Sequence, residues 1–168
     1  SWSFSVWDDV CNNTGYQKLA WENAGIGDCI FTQGCQGFSC GSNLPFSMTL
    51  EQNINCNGTG IVINTSNVYI NCSGYSIIGN GTGEGIYLQN VNGVNISNCN
   101  ISNFTRAIRL SSSDENNLIS NDLHDNDYAI SFYNSGVDEY GNSIYGNKIH
   151  KNNVGIAFLI TSFNNIIR

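Results

Sequence analysis

Charged side chains are scarce in this sequence, which also has a single proline and a single methionine. Charged residues make up 11% of the chain, against roughly 25% in an average globular protein. Six Lys and Arg stand against thirteen Asp and Glu, so the formal charge is −7. Nucleic-acid binding needs clustered basic side chains, and we therefore expect no nucleic-acid partner.

Long hydrophobic runs are also missing. The longest apolar stretches, such as GIAFLI at 155–160, are far shorter than the roughly 18 residues that cross a bilayer. The seven cysteines show no paired CxxC spacing, which argues against a zinc site and favours disulfides. Disulfides in an Asn-rich, Lys-poor chain are typical of secretion, so we predict an extracellular or cell-surface protein without a membrane span.

A repeat runs through most of the chain. Four segments place a small residue before two apolar residues that flank one variable position, and they begin at Gly85, Ala107, Ala129 and Gly155. Their spacings are 22, 22 and 26 residues, and an earlier copy begins at Gly60. Between them, as in NSIYGNKIHKN at 142–152, apolar residues alternate with polar ones and Asn recurs. This pattern predicts short strands with one buried face, joined by turns.

Such a unit cannot bury its apolar face alone, but coils stacked about 4.8 Å apart would form a continuous core. Asn residues at equivalent turns are expected to stack into hydrogen-bonded ladders. The sequence therefore predicts an all-β fold, a right-handed single-stranded parallel β-helix of about four to five coils. The variable coil length favours this right-handed form, and we assign the helix to residues 46–168.

Residues 1–45 break the repeat and hold all three Trp and four of the seven Cys. We predict that they form a small disulfide-rich N-terminal cap with a short helix at 16–25. Four cysteines are expected to make two bridges within this cap: Cys11, Cys29, Cys35 and Cys40. We further predict a bridge between Cys72 and Cys99 in adjacent coils, which leaves Cys56 as the odd cysteine.

Eight Asn-x-Ser/Thr sequons predict covalent N-glycans, and no other cofactor is expected. Three of them alternate with inward apolar residues and four others lie in turns, so the pattern places their side chains toward solvent. The candidate acceptors are Asn12, Asn57, Asn64, Asn71, Asn80, Asn95, Asn100 and Asn103.

Two segments, NVYINCSGYSIIGNGTGEGIYL at 67–88 and GVNISNCNISNFTRAIRL at 93–110, resemble right-handed β-helix proteins of the carbohydrate-binding and sugar-hydrolase type. This group includes the periplasmic copper-processing protein of nitrous-oxide-reductase maturation. The resemblance covers about residues 50–168 and implies the fold. It implies less about function, because this architecture hosts lyases, epimerases, adhesins and structural proteins.

The stretch DLHDND at 122–127 lies one coil before KIHKNN at 148–153, so acidic positions fall on basic ones. Stacking would place Asp122 near Lys148 and His124 near His150. We interpret these residues as outward side chains with complementary charges. A proton-transfer site and a metal site at the two histidines are the alternatives, but a third metal ligand is not evident, so we predict neither a catalytic nor a metal site.

A calcium site in two longer loops is a further alternative, although we favour carboxylates that are simply solvated. The residues concerned are Asp114, Glu115, Asp138 and Glu139.

The two ends of the sequence suggest assembly. Residues 1–7 alternate Ser with Trp2, Phe4 and Val6, while Ile166 and Ile167 are placed to enter a core. The N-terminal strand either pairs with its own cap or adds to the last coil of a neighbour. Our leading hypothesis is an extracellular structural glycoprotein subunit that stacks head to tail with copies of itself into a filament or surface array.

A different class of function is the main alternative. The chain would then be a carbohydrate-binding or polysaccharide-modifying β-helix domain, with Tyr87 and Arg109 as possible glycan contacts on one sheet. These two residues lack an accompanying carboxylate pair, which favours binding over catalysis. A fragment of a longer adhesin is the third hypothesis.

Overall fold

The computed structural model describes residues 28–30, 40–135, 141–160 and 165–168. These residues form seventeen short strands and no helix. Every strand pairs in parallel with its neighbours, and each coil contributes one strand to each of three sheets. The protein is therefore a right-handed parallel β-helix of about five coils, as predicted from the repeat.

The first sheet, sheet A, contains seven of the described strands: β1 (Asp28–Ile30), β2 (Ser47–Thr49), β5 (Tyr69–Asn71), β8 (Asn95–Ser97), β11 (Asn117–Ile119), β14 (Ser143–Tyr145) and β17 (Ile166–Ile167). Sheet B has five longer strands: β4 (Ile61–Ile63), β7 (Glu84–Gln89), β10 (Arg106–Ser111), β13 (Tyr128–Tyr133) and β16 (Val154–Leu159). Sheet C has five: β3 (Ile54–Asn55), β6 (Ser76–Ile78), β9 (Asn100–Ser102), β12 (Asp122–His124) and β15 (Lys148–His150).

The predicted repeat sets the register of the sheets. Ile86, Ile108, Ile130 and Ile156 are direct partners on successive strands of sheet B. The first three are fully buried, and together with equivalent Ile, Val and Leu residues they fill one apolar column. The period-two alternation therefore directs apolar side chains inward and polar ones outward, as the sequence indicated.

Asparagine ladders line the turns between the sheets. The side-chain amide of Asn121 donates to Asn147 Oδ1 at 2.9 Å, and that of Asn126 donates to Asn152 Oδ1 at 3.0 Å. Each oxygen also accepts a backbone N–H from the preceding coil, as Asn121 does from Cys99. The predicted Asn stacking is confirmed, and it satisfies buried backbone groups that the strands leave unpaired.

Residues in the left-handed backbone region recur at all three corners of the coils. At the corner where sheet A passes into sheet C, these residues are Ser73, Asn98, Ser120 and Gly146, with φ between 51° and 64°. Non-glycine residues are uncommon at positive φ, and Asn is among the most tolerant. The recurrence of this geometry stacks the corners directly above one another.

Two disulfides join the described residues. Cys72 and Cys99 form the predicted bridge between adjacent coils, with their Cα atoms 4.6 Å apart. The second bridge joins Cys40 to Cys56, so the prediction that Cys40 pairs within the cap and that Cys56 is odd was wrong. Cys40 lies beside the first described coil, with its Cα 5.5 Å from that of Cys56, and this brings the two thiols within bridging reach.

Several predicted features lie outside the described residues. They include the helix at 16–25, the assembly residues Trp2, Phe4 and Val6, the sequon at Asn12, and the cysteine side chains at positions 11, 29 and 35. Within the predicted cap, β1 pairs in parallel with β2 and so continues sheet A. In the described part of the chain, no helix has the length and apolar character needed to cross a membrane.

Candidate ligand-binding surfaces

A polar groove follows the corner at which sheet A passes into sheet C. This corner groove has a volume of about 670 Å³ and crosses three successive coils. Amide and hydroxyl side chains dominate its lining, with one carboxylate at its edge: Asn71, Ser73, Asn98, Asn100, Ser120 and Asp122. The groove is therefore built from stacked, near-equivalent positions of the repeat.

The walls of the corner groove are held by short hydrogen bonds. Asn71 Oδ1 accepts from the backbone N–H of Ser73 at 3.0 Å and from Asn98 Nδ2 at 3.1 Å. Below the surface, Cys99 is fixed by its disulfide to Cys72. Because both the turn and the layer beneath it are fixed, the polar side chains are presented in a largely pre-formed arrangement.

The predicted charged cluster lies at one side of this groove. Asp122 contacts two residues of the next coil, with Oδ2 2.9 Å from Lys148 Nζ and Oδ1 2.8 Å from His150 Nε2. The predicted Asp122–Lys148 pairing is confirmed. Partial burial raises the pKa of the Asp122 carboxyl, but the hydrogen bonds from Lys148 and His150 outweigh that effect, so the net shift is downward.

His124 joins the groove to the charged cluster. Its Nε2 lies 2.9 Å from Asn100 Oδ1, a groove residue, and its Nδ1 lies 2.7 Å from Asp125 Oδ2. The hydrogen bond from His124 lowers the pKa of the Asp125 carboxyl, with smaller contributions from Lys151 and His150. Asp125 therefore has its closest partner in its own coil.

A second cluster occupies the outer face of sheet B. The Arg109 guanidinium lies over the Tyr87 ring, 5.0 Å from its centroid, and its Nη1 is 3.1 Å from Glu84 Oε1. Arg106 approaches the same carboxylate oxygen at 3.6 Å, and Thr59 donates to the other oxygen at 3.1 Å. The two predicted glycan contacts, Tyr87 and Arg109, thus touch each other, and their role toward a glycan stays a prediction.

Seven of the eight sequons fall in the described residues. Asn57, Asn64, Asn80, Asn95 and Asn103 are exposed, whereas Asn71 and Asn100 are half-buried because they line the corner groove. The sequence correctly indicates that these side chains point outward. It does not show that two of them are enclosed by stacked corners.

The loop carboxylates behave differently from one another. Glu115 is exposed, whereas Asp114 is 5% exposed, so the expectation that it is simply solvated was wrong. The backbone N–H of Asp114 donates to Asn92 Oδ1 of the preceding coil, and this stacking draws the residue inward. Asp138 and Glu139 lie outside the described residues.

These features define the class of protein: an all-β repeat protein whose clustered polar and charged side chains lie on the outer surface of a parallel β-helix. The sequence matches the NosD family model, described as periplasmic copper-binding protein, over residues 11–167. The chain therefore belongs to the NosD family. A comparison with curated proteins and one with solved structures each found no match.

The family description raises the question of copper. Copper sites in proteins use imidazole, thiolate or thioether ligands, and Cu(II) sites also use oxygen ligands. The sequence has two His and one Met, and Met48 is fully buried in the core. Every cysteine whose side chain the structure describes is in a disulfide, and no group of three His, Cys, Asp or Glu that could hold a metal occurs among the described residues. Those residues do not fit a copper site.

Proposed function

We propose that this NosD-family chain is an extracytoplasmic glycan-binding domain whose ligand lies in the corner groove. The observation that carries the proposal is the groove itself, whose lining consists mainly of amides and hydroxyls from three successive coils. Sugar hydroxyls both donate and accept hydrogen bonds, as do the carboxamide and hydroxyl groups that line it. The periplasmic description of the family and the disulfides support a location outside the cytoplasm.

The charge of the groove favours neutral glycans. Its one lining carboxylate, Asp122, can accept hydrogen bonds from sugar hydroxyls, and the chain as a whole carries a formal charge of −7. This negative charge would repel a polyanion, and only the nearby Lys148 would attract it locally. A linear neutral oligosaccharide that runs along the stacked corners is the ligand that this arrangement suits best.

The test is a glycan array followed by calorimetry on matched variants. Ser120→Tyr places a bulky ring in the corner groove, whereas Gln52→Tyr places the same ring at an exposed position outside the groove lining. We expect Ser120→Tyr to abolish binding and Gln52→Tyr to leave it unchanged. Loss of binding in Arg109→Ala but not in Ser120→Tyr would instead assign the ligand to the outer face of sheet B.

Head-to-tail assembly is the second candidate function. It is favoured by the last described coil, in which five large apolar side chains are exposed: Phe158, Leu159, Ile160, Ile166 and Ile167. A second copy of the chain could cover them by adding residues 1–7, the strand predicted from the alternation of Ser with apolar residues. Sedimentation velocity of the full chain would show concentration-dependent oligomers, and Ile167→Asp would abolish them. A monomer at all concentrations would contradict this candidate.

N-glycans are compatible with both candidates at the exposed sequons. A glycan on Asn71 or Asn100 would fill the corner groove, whereas one on Asn57, Asn64 or Asn80 would leave it open. Intact-peptide mass spectrometry of the protein from its native source measures the occupancy of each site. Full occupancy at Asn100 would contradict ligand binding in the groove.

A further inference from the structure

The hydrogen bonds of His124 have a chemical consequence. Its two ring nitrogens face Asp125 Oδ2 and Asn100 Oδ1, at 2.7 and 2.9 Å. A carboxylate oxygen and an amide oxygen only accept hydrogen bonds. Both contacts are therefore hydrogen bonds only when both ring nitrogens carry a proton, which is the imidazolium form.

A neutral His124 requires a different partner arrangement. Its Nδ1–H would still donate to Asp125, while Nε2 would become an acceptor and would face the Asn100 oxygen unfavourably. Rotation of the Asn100 carboxamide by half a turn solves this, because its NH₂ group then donates to Nε2. The amide oxygen would then point to the side that the NH₂ group occupied before.

We propose that the protonation state of His124 sets which edge of the Asn100 carboxamide faces the corner groove. The imidazolium holds the amide oxygen, so the groove presents an NH₂ donor. The neutral imidazole holds the amide nitrogen, so the groove presents an oxygen acceptor.

Charged groups face His124 from its own coil and from the next one. On its own strand and the following turn lie Asp122 and Asp125, and the next coil brings Lys148, His150 and Lys151. The preceding coil contributes the uncharged Asn100 and Ser102. Each histidine contacts its own carboxylate, Asp125 for His124 and Asp122 for His150.

The consequence for ligand choice rests on the proposed glycan function. A hydroxyl can donate or accept, so a neutral sugar fits the groove in both states. A carboxylate only accepts, so a uronic-acid sugar meets a donor at Asn100 only when His124 is protonated. His124 is thus a positioning residue that makes the groove more selective against acidic sugars as pH rises.

The proposed reorientation of the Asn100 carboxamide is tested on the protein alone by nitrogen-15 NMR from pH 5 to 8. We expect the side-chain NH₂ resonances of Asn100 to shift with the same midpoint as the His124 ring nitrogens. In His124→Gln this shift should disappear, whereas in the matched His150→Gln variant it should persist. Asn100 resonances that stay constant through the His124 titration, or that still shift in His124→Gln, would overturn the inference.

Binding of cellotriose and of trigalacturonic acid, measured by calorimetry at pH 5 and pH 8, separates this inference from the proposed function. We expect cellotriose affinity to be constant and trigalacturonic acid affinity to be several-fold higher at pH 5, a gain that His124→Gln removes. If neither sugar binds while the Asn100 resonances still shift with the His124 midpoint, glycan binding fails for these sugars and the reorientation of Asn100 stands. If both bind with no His124-dependent change, the inference fails and glycan binding stands.

Discussion

The imidazole rings of His124 and His150 stack on adjacent coils, with 5.1 Å between their centroids and 21° between their planes. They are direct partners in the pairing of β12 with β15. Each ring also contacts a carboxylate, Asp125 for His124 and Asp122 for His150. The 26-residue offset between two similar segments thus builds a compact network of ionisable groups beside the corner groove.

Asp122→Asn tests the electrostatic part of this network. The pKa of Asp122 lies below its ordinary value, so its ionisation stabilises the fold above about pH 4 and this contribution is lost as pH falls through that range. We expect the variant to have a free energy of unfolding lower by up to about 1 kcal/mol at pH 7, since Lys148 is largely exposed. Urea unfolding at several pH values should show the difference from the wild type shrinking below about pH 4.

The matched control is Glu51→Gln, which removes a carboxylate at an exposed position. It should change the free energy of unfolding at pH 7 by no more than about 0.5 kcal/mol. A loss in Asp122→Asn that is equally large at pH 7 and at pH 3 would show that packing, and not ionisation, is responsible.

The disulfides are expected to differ slightly in their contribution to stability. Cys72 and Cys99 are 27 residues apart, and Cys40 and Cys56 are 16 apart. On chain-entropy grounds, Cys72→Ala with Cys99→Ala should cost about 3.5 kcal/mol, and Cys40→Ala with Cys56→Ala about 3 kcal/mol. Urea unfolding of the two double variants measures both values. A negligible loss in the first double variant would contradict the bridge between coils.

The Asn ladders should contribute more to stability than exposed amides. Asn121 is buried and exchanges hydrogen bonds with Cys99, Ile96 and Asn147. Asn121→Ala removes the acceptor of the Cys99 N–H and the side-chain donor to Ile96 O, although Asn147 Oδ1 keeps the Asn121 backbone N–H, and we expect a loss of about 1 to 3 kcal/mol. The control is Asn117→Ala, whose half-buried side-chain amide makes one hydrogen bond among the described residues, to Asn95 Oδ1, and should cost less than about 1 kcal/mol. Equal losses in the two variants would contradict a special role for the buried ladder.

The sequence predicts the structure correctly where each coil repeats the pattern of the coil before it. The spacing of Gly85, Ala107 and Ala129 predicts the register of sheet B because each coil has to bury the same apolar face. The 26-residue spacing from Ala129 to Gly155 likewise predicts the contact of His124 with His150. Both results depend only on position within the repeat, which the sequence displays directly.

The corner groove was not predicted because its shape depends on backbone geometry. Asn71, Asn98 and Ser120 are far apart in sequence and meet only where stacked corners adopt a left-handed conformation. The available signal was a Ser or Asn one or two residues after three strands of sheet A: Ser73 after β5, Asn98 after β8 and Ser120 after β11. The bridge between Cys40 and Cys56 was missed for a related reason, since Cys40 precedes the repeat and has no equivalent position that would predict its neighbour.

Ser131→Ala is expected to leave the protein equally stable or to stabilise it by up to about 1 kcal/mol. Ser131 is 1% exposed, and its hydroxyl makes no hydrogen bond to any residue that the structure describes. A buried hydroxyl without a partner costs free energy, and Ala157 already occupies the paired position on the next coil.

The matched control is Ser113→Ala, because Ser113 is equally buried but donates to Ser111 O at 2.8 Å and accepts from Val91 N–H. That variant should lose about 1 to 3 kcal/mol in urea unfolding. A comparable loss in Ser131→Ala would show that its hydroxyl has a hydrogen-bond partner in solution.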